Sequence, residues 1–116
     1  MFKSTNNHGY QMTFPNGLTI SVQWGTGNYC DRKNLNRSLS DPYEDLKTNI
    51  INSTTAEIAV WDENDSGNLV PLEEYDDVIG YCDTIFVANM ITLVSQAKDG
   101  NDLQWKLQQG RKMWGK

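Results

Sequence analysis

The sequence predicts an α+β fold: an antiparallel, twisted sheet of 4–5 strands, opened by a β-hairpin, with one main helix over about 84–97 packed on one face. Three observations predict it. Apolar and polar residues alternate on both sides of Asn16-Gly17. Two β-type runs, Ala56–Trp61 and Val78–Cys82, follow a polar middle. Behind Asp83 comes an amphipathic stretch too long for an ordinary strand.

The hairpin is the clearest element. Tyr10, Met12 and Phe14 alternate with polar residues, Pro15-Asn16-Gly17 turns, and Leu18, Ile20, Val22 and Trp24 resume the alternation. Period-2 patterning around an Asn-Gly is a hairpin signature. The apolar face must sit on a core, while Thr19, Ser21 and Gln23 are expected to face water. Gly25 to Asn28 end the strand. Residues 31–54 read as a polar insertion, mobile or partly helical, with Asp41-Pro42 able to open a short helix through Lys47.

Ala56–Trp61 reads as a third strand and Asp62–Asn68 as a turn. Leu69–Leu72 is a short returning strand, confined to an edge by Pro71. Val78–Cys82 is a further strand, and Asp83 caps the helix. Phe86, Met90, Leu93, Val94 and Ala97 fall on one helical face, opposed to Tyr10, Met12, Phe14, Leu18, Ile20, Val22, Ile58 and Val60. Gly100 is expected to end the helix. The single α+β domain then covers residues 1–102. Residues 103–116 form a basic, Trp-containing tail whose pattern fits a helix or a strand.

At 116 residues there is room for one domain of ordinary size. No apolar run reaches about 18 residues, so no membrane span is expected. The opening MFKSTNNHGYQ lacks the apolar segment of a secretory signal, which points to a cytoplasmic setting. The net charge of −5 is unevenly spread: residues 41–102 hold fourteen Asp/Glu and two Lys, whereas 103–116 hold four Lys/Arg and no acid. An acidic body disfavours wrapping nucleic acid and suits a basic protein surface, or serves only solubility. Aromatics among the tail's bases could stack on single strands, but four charges make a weak case.

Several constellations could carry chemistry. Gly25-Thr26-Gly27-Asn28-Tyr29-Cys30 is a Gly-rich loop after a strand. Such loops can aim amides at phosphate; a strand-ending turn or bulge uses the same residues. Trp24 and Trp61 end strands beside two turn-rich loops. If both loops lie at one end of the sheet, Trp24, Gly25, Gly27, Asn28, Tyr29 and Trp61 would border a ligand or partner surface. From Asp62 to Glu73 the spacing of Asp62, Asn64, Ser66 and Glu73 follows an EF-hand calcium loop, with Gly67 at its sixth position. The flanks oppose it: a β-type run enters the loop, and Pro71 sits where the exit helix should begin. An acidic turn is the competing reading.

Cys30, with His8 as base and Asp31 as orienter, would suit a nucleophile, since the hairpin brings residue 8 near residue 24. One Cys and one His coexist in many non-enzymes, and no catalytic residue is assigned. Cys30 and Cys82, with a single His, cannot fill a structural zinc site. No cofactor is implied beyond the calcium-like spacing.

Asn16 to Cys30, Ala56 to Asp62 and Val78 to Tyr81 resemble small bacteriophage-encoded proteins that have no assigned activity. The likeness covers roughly residues 10–30 and 56–96. It implies a viral accessory protein in a bacterial host cytoplasm. The function expected is non-enzymatic binding to a host factor, inhibiting a host enzyme or defence system. The alternative is a small-ligand or nucleotide-sequestering protein that uses residues 25–29.

Overall fold

The computed structural model describes residues 1–5, 8–32, 52–73 and 76–113. The insertion helix expected at Asp41–Lys47 and most of the 31–54 segment lie outside the described residues. Among the described residues six strands form one antiparallel sheet: β1 (Phe2–Ser4), β2 (Gly9–Thr13), β3 (Leu18–Gln23), β4 (Ala56–Asp62), β5 (Asn68–Leu69) and β6 (Val78–Cys82). They run in the order β1-β2-β3-β4, and β5 and β6 both pair with β4. Two helices follow, α1 (Thr84–Gln96) and α2 (Gly100–Met113).

The hairpin forms as its alternation predicts. Phe14 O accepts from Gly17 N and Phe14 N donates to Leu18 O, both at 2.9 Å. Pro15-Asn16 therefore occupy the turn and Gly17 takes the left-handed position, with φ 88°. Asn16 does more than turn the chain. Its Nδ2 donates at 2.8 Å to the carbonyls of both Val94 and Ala97, and its Oδ1 accepts from Leu18 N at 2.9 Å. A helix end leaves its last carbonyls without partners, and the hairpin turn supplies donors to two at the end of α1.

In-register pairing puts Tyr10, Val22 and Ile58 in one row and Met12, Ile20 and Val60 in the next. Leu18, Ile20, Ile58, Val60, Leu72, Val94 and Leu103 are fully or almost fully buried, with Met90 beside them. Tyr10, Met12 and Phe14 pack against this core from its margin.

Four expectations need correction. Phe86 does not face the core. Val87, Met90 and Val94 do, and Phe86, about 70° around the helix from the middle of that face, lines a groove beside β6. Thr19 and Ser21 do not face water but are buried. Thr19 Oγ1 lies 2.7 Å from Thr13 Oγ1 and 3.2 Å from Glu63 Oε1, which also accepts from Trp61 Nε1 at 2.7 Å. Ser21 Oγ lies 3.1 Å from Gln23 Nε2. Satisfied hydroxyls can be buried on a central strand at little cost. Gly100 does not end the first helix but begins the second, which Asp99 caps by accepting from Asp102 N at 2.8 Å. A boundary at 102/103 therefore falls inside α2, and Leu103 belongs to the core.

Among the described residues, no helix is long and apolar enough to cross a membrane.

Candidate functional site

Two sites expected from sequence come apart in three dimensions. Thr19 faces Trp61 across the β3–β4 pair, while Trp24 follows Gln23, which faces Glu57. The two tryptophans therefore stand at opposite ends of the sheet. Pleat parity also puts them on opposite faces: Trp24 with Val22 toward the core, Trp61 with Thr19 away from it.

The Gly-rich loop turns its donors inward. Gly25 N donates to Asn28 Oδ1 at 2.9 Å, and Asn28 N to Gly25 O at 3.1 Å. The Glu57 carboxylate accepts from Tyr29 N at 2.7 Å and from Asn28 Nδ2 at 3.4 Å. An internal carboxylate thus takes the amide that a phosphate would need, so Gly25, Gly27 and Asn28 serve as a scaffold for Tyr29. His8 lies close to this loop, as the hairpin predicts, with Trp24 N donating to His8 O at 2.8 Å. Among the described residues, however, no hydrogen bond joins His8, Cys30 and Asp31 into a triad. The Cys30 thiol is buried 3.6 Å from Gly25 O; the Asp31 carboxylate accepts from Thr54 Oγ1, and the Asp31 N–H donates to Thr55 Oγ1.

The calcium-like spacing does not close into a ring. Asp62 Oδ1 caps a single 3-10 turn at 63–65 by accepting from Asn64 N at 2.9 Å, and Asn64 Nδ2 points to Asn16 O at 3.4 Å. Ser66 takes the left-handed conformation of the turn. Glu73 leaves the loop altogether: Val70 N bonds Val60 O at 2.8 Å, and Glu73 N bonds Asp76 O at 3.0 Å. Its charge is felt at Cys82, beside Ala56 at the far end of β4 from Asp62. Asp62, Asp65 and Asp99 do line a polar cleft of about 300 Å³. Among the described residues, though, no three His, Cys, Asp or Glu side chains gather closely enough to hold a metal ion.

What the fold does assemble lies around the end of β6. Ile79 faces Ile58 and Cys82 faces Ala56, so Gly80 and Tyr81 stand against the single residue Glu57. This is a β-bulge, a device that re-aims a side chain at a sheet edge. Tyr81 takes φ 55°, which is uncommon for a bulky residue. Its N–H donates to Tyr29 O at 2.8 Å. A Cβ on Gly80 would meet the Tyr29 Cβ at 2.5 Å, so only glycine lets the loop lie against the strand. Next to the bulge Asp83 caps α1, its Oδ1 accepting from Phe86 N at 2.8 Å.

The result is an exposed apolar cluster. Tyr29 is 53% exposed, Tyr81 54%, Ile85 72% and Phe86 39%. Tyr81 and Phe86 share a shallow groove of about 230 Å³ with Ile79, Gly80, Cys82 and Asp83. Carboxylates lie near it: Asp83 in the groove wall, Glu57 bonded to the Tyr29 amide, and Glu73 close enough to act on Cys82. The Cys82 thiol beside the groove is pushed up to about 11, by burial first and then by Asp83 and Glu73. Sequence reading found Tyr29 but missed Tyr81, Ile85 and Phe86, which it placed in a strand and a core-facing helix. The one available signal was Gly80 inside a strand pattern, a mark of a bulge or a close approach. No family model matches the chain, and neither does any curated protein or solved structure.

Proposed function

We propose that this chain is a non-enzymatic binding protein that docks a host protein through the surface formed by Tyr29, Tyr81, Ile85 and Phe86. One observation carries the reading: Tyr81 and Phe86 stand exposed along one groove, at a bulge where Tyr81 takes a costly backbone conformation and exposed Tyr29 packs against Gly80, with Asp83 in the groove wall. Contiguous exposed apolar surface marks interaction sites, and aromatic anchors supply most of the energy at such interfaces. The carboxylates select a partner with basic residues around an apolar contact, and they make association faster at low salt. The bacteriophage-like segments supply the setting, a viral accessory protein acting on a host enzyme or defence factor in the bacterial cytoplasm.

The test places a photo-crosslinking p-benzoylphenylalanine at Ile85, outside the core, and irradiates host cells that express the chain. One discrete adduct is expected, lost with Tyr81→Ala and weakened at high salt in lysate. Truncating an anchor of this kind weakens binding by roughly 30-fold. Absence of an adduct, or an adduct indifferent to Tyr81→Ala, overturns the reading.

A further inference from the structure

The flank of α1 opposite Phe86 borders a second feature. Val87, Ala88 and Ile91 face Tyr10, Val22 and Trp24 across a cleft of about 340 Å³ at the β2–β3 end. That volume is at the low end for sites that take small molecules or single side chains. Cys82, Asp83 and Thr84 line this cleft, and Cys82 and Asp83 also line the Tyr81–Phe86 groove. The two therefore share a wall at the start of α1.

We propose that this cleft receives a basic side chain, arginine or lysine, of the docked partner. The inference rests on the docking reading above. Its walls suit the two parts of such a side chain. Val22, Val87 and Ile91 offer apolar surface for a methylene stem. Tyr10 and Trp24 stand edge to face, with ring centroids 6.1 Å apart and planes at 68°, and give a cation an electron-rich ring to lie over. Asp83, the one acidic residue of the described lining, belongs to the same wall, and no Lys or Arg is among the described residues lining it. The amides at the start of α1 would by themselves favour an anion. Asp83 opposes this, because it takes the Phe86 N–H and adds its own negative charge. The Cys82 thiol in the same wall is raised by burial first, and then by the charges of Asp83 and Glu73.

The experiment titrates the full chain, labelled with nitrogen-15, with N-acetyl-arginine methylamide, then with its neutral citrulline counterpart. Saturable shifts at the Trp24 indole and the Thr55 and Ile91 amides are expected with the arginine probe. The citrulline probe should bind roughly tenfold more weakly, having lost the cation–π and ionic contacts. Asp83→Asn keeps a capping oxygen and removes the charge; it should weaken the arginine probe severalfold and leave the citrulline probe unchanged. Absence of saturable shifts, equal binding of both probes, or indifference to Asp83→Asn overturns the inference. Tyr81→Ala separates the two proposals, because it should abolish the host adduct and leave arginine binding intact. An adduct without arginine binding sinks this inference and spares the docking surface. Arginine binding without an adduct refutes delivery by a docked partner and leaves a site for free cations.

Discussion

Tyr81→Gly sets strain against contact. A bulky side chain at φ 55° raises the free energy of the folded chain by roughly 1–2 kcal/mol, a cost glycine does not bear. The substitution also removes whatever the tyrosine ring buries. Full burial of a large apolar side chain is worth about 1.5–3 kcal/mol, and Tyr81 is 54% exposed, so roughly 1 kcal/mol is lost. The two nearly cancel. Urea denaturation should place Tyr81→Gly within about 1 kcal/mol of the parent, a change of about 4 °C in Tm for a chain of this size. Partner crosslinking from residue 85 should fall sharply over the same substitution. An interface residue held in strain behaves this way, because the fold loses nothing that it needs. A structural anchor would instead cost about 3 kcal/mol or more on truncation. Destabilisation of that size, or unchanged crosslinking, would refute the assignment of Tyr81 to binding.

Asn16→Ala removes two donors to the end of α1 and one acceptor in the turn. At about 1 kcal/mol each this destabilises the chain by roughly 2–3 kcal/mol in urea titration. Asn16→Asp should cost at least as much at pH 7, because a carboxylate would face two carbonyls, and it should regain stability in acid as the carboxyl protonates. Glu57→Ala frees the Tyr29 amide; hydrogen exchange at Tyr29 should speed up while the Ile20 and Val60 amides keep their protection. The folded Cys82 thiol holds its proton from the ordinary 9.0 up to about 11. Folded chains therefore bind more protons than unfolded ones in that window, and stability should fall as pH rises through it. Cys82→Ala should flatten the decline; a slope that persists unchanged would assign it to other groups.

The sheet was legible because its signals are local and mutually consistent. Alternation on both sides of Pro15-Asn16-Gly17 specifies the hairpin's register and its inner face, and the observed row pairing follows from it. The helix start was legible for the same reason: Asp83 offers a cap immediately before a long amphipathic stretch. What the pattern could not carry was phase. The face Phe86–Met90–Leu93 and the face Val87–Met90–Val94 differ by a fraction of a turn, and both are apolar. Only the approach of α1 to β3 selects the second, since that approach is set by the clasp of Asn16 on Val94 and Ala97, residues far apart in sequence. The break between α1 and α2 was masked in a similar way. Gly100 is equally good as a helix stop and as a residue following a cap, and Asp99 decides between them only once its side chain is seen accepting from Asp102 N.

The candidate site is less legible because its sequence signals carry no strand direction. Trp24 and Trp61 each end a strand beside a turn-rich loop. Their strands are antiparallel partners, so equivalent ends lie at opposite edges of the sheet. The Gly-rich loop likewise has the pattern of a ligand cradle, and only the fold brings in Glu57, which lies 28 residues beyond Tyr29 and accepts its amide. The same contact gives the loop its purpose. Glu57 ties Tyr29 down, Tyr29 O holds the Tyr81 amide, and the bulge that results turns Tyr81 out of the pleat. A regular β6 would have put residues 80 and 81 in register with Glu57 and Ala56. The extra residue is therefore what separates an ordinary edge strand from a surface that presents an aromatic side chain beside Phe86. Removing that residue gives a sharp test: deletion of Tyr81 should restore regular pairing, keep the core and end partner binding. Deletion that unfolds the chain would show that the bulge is required by the fold and not by the partner.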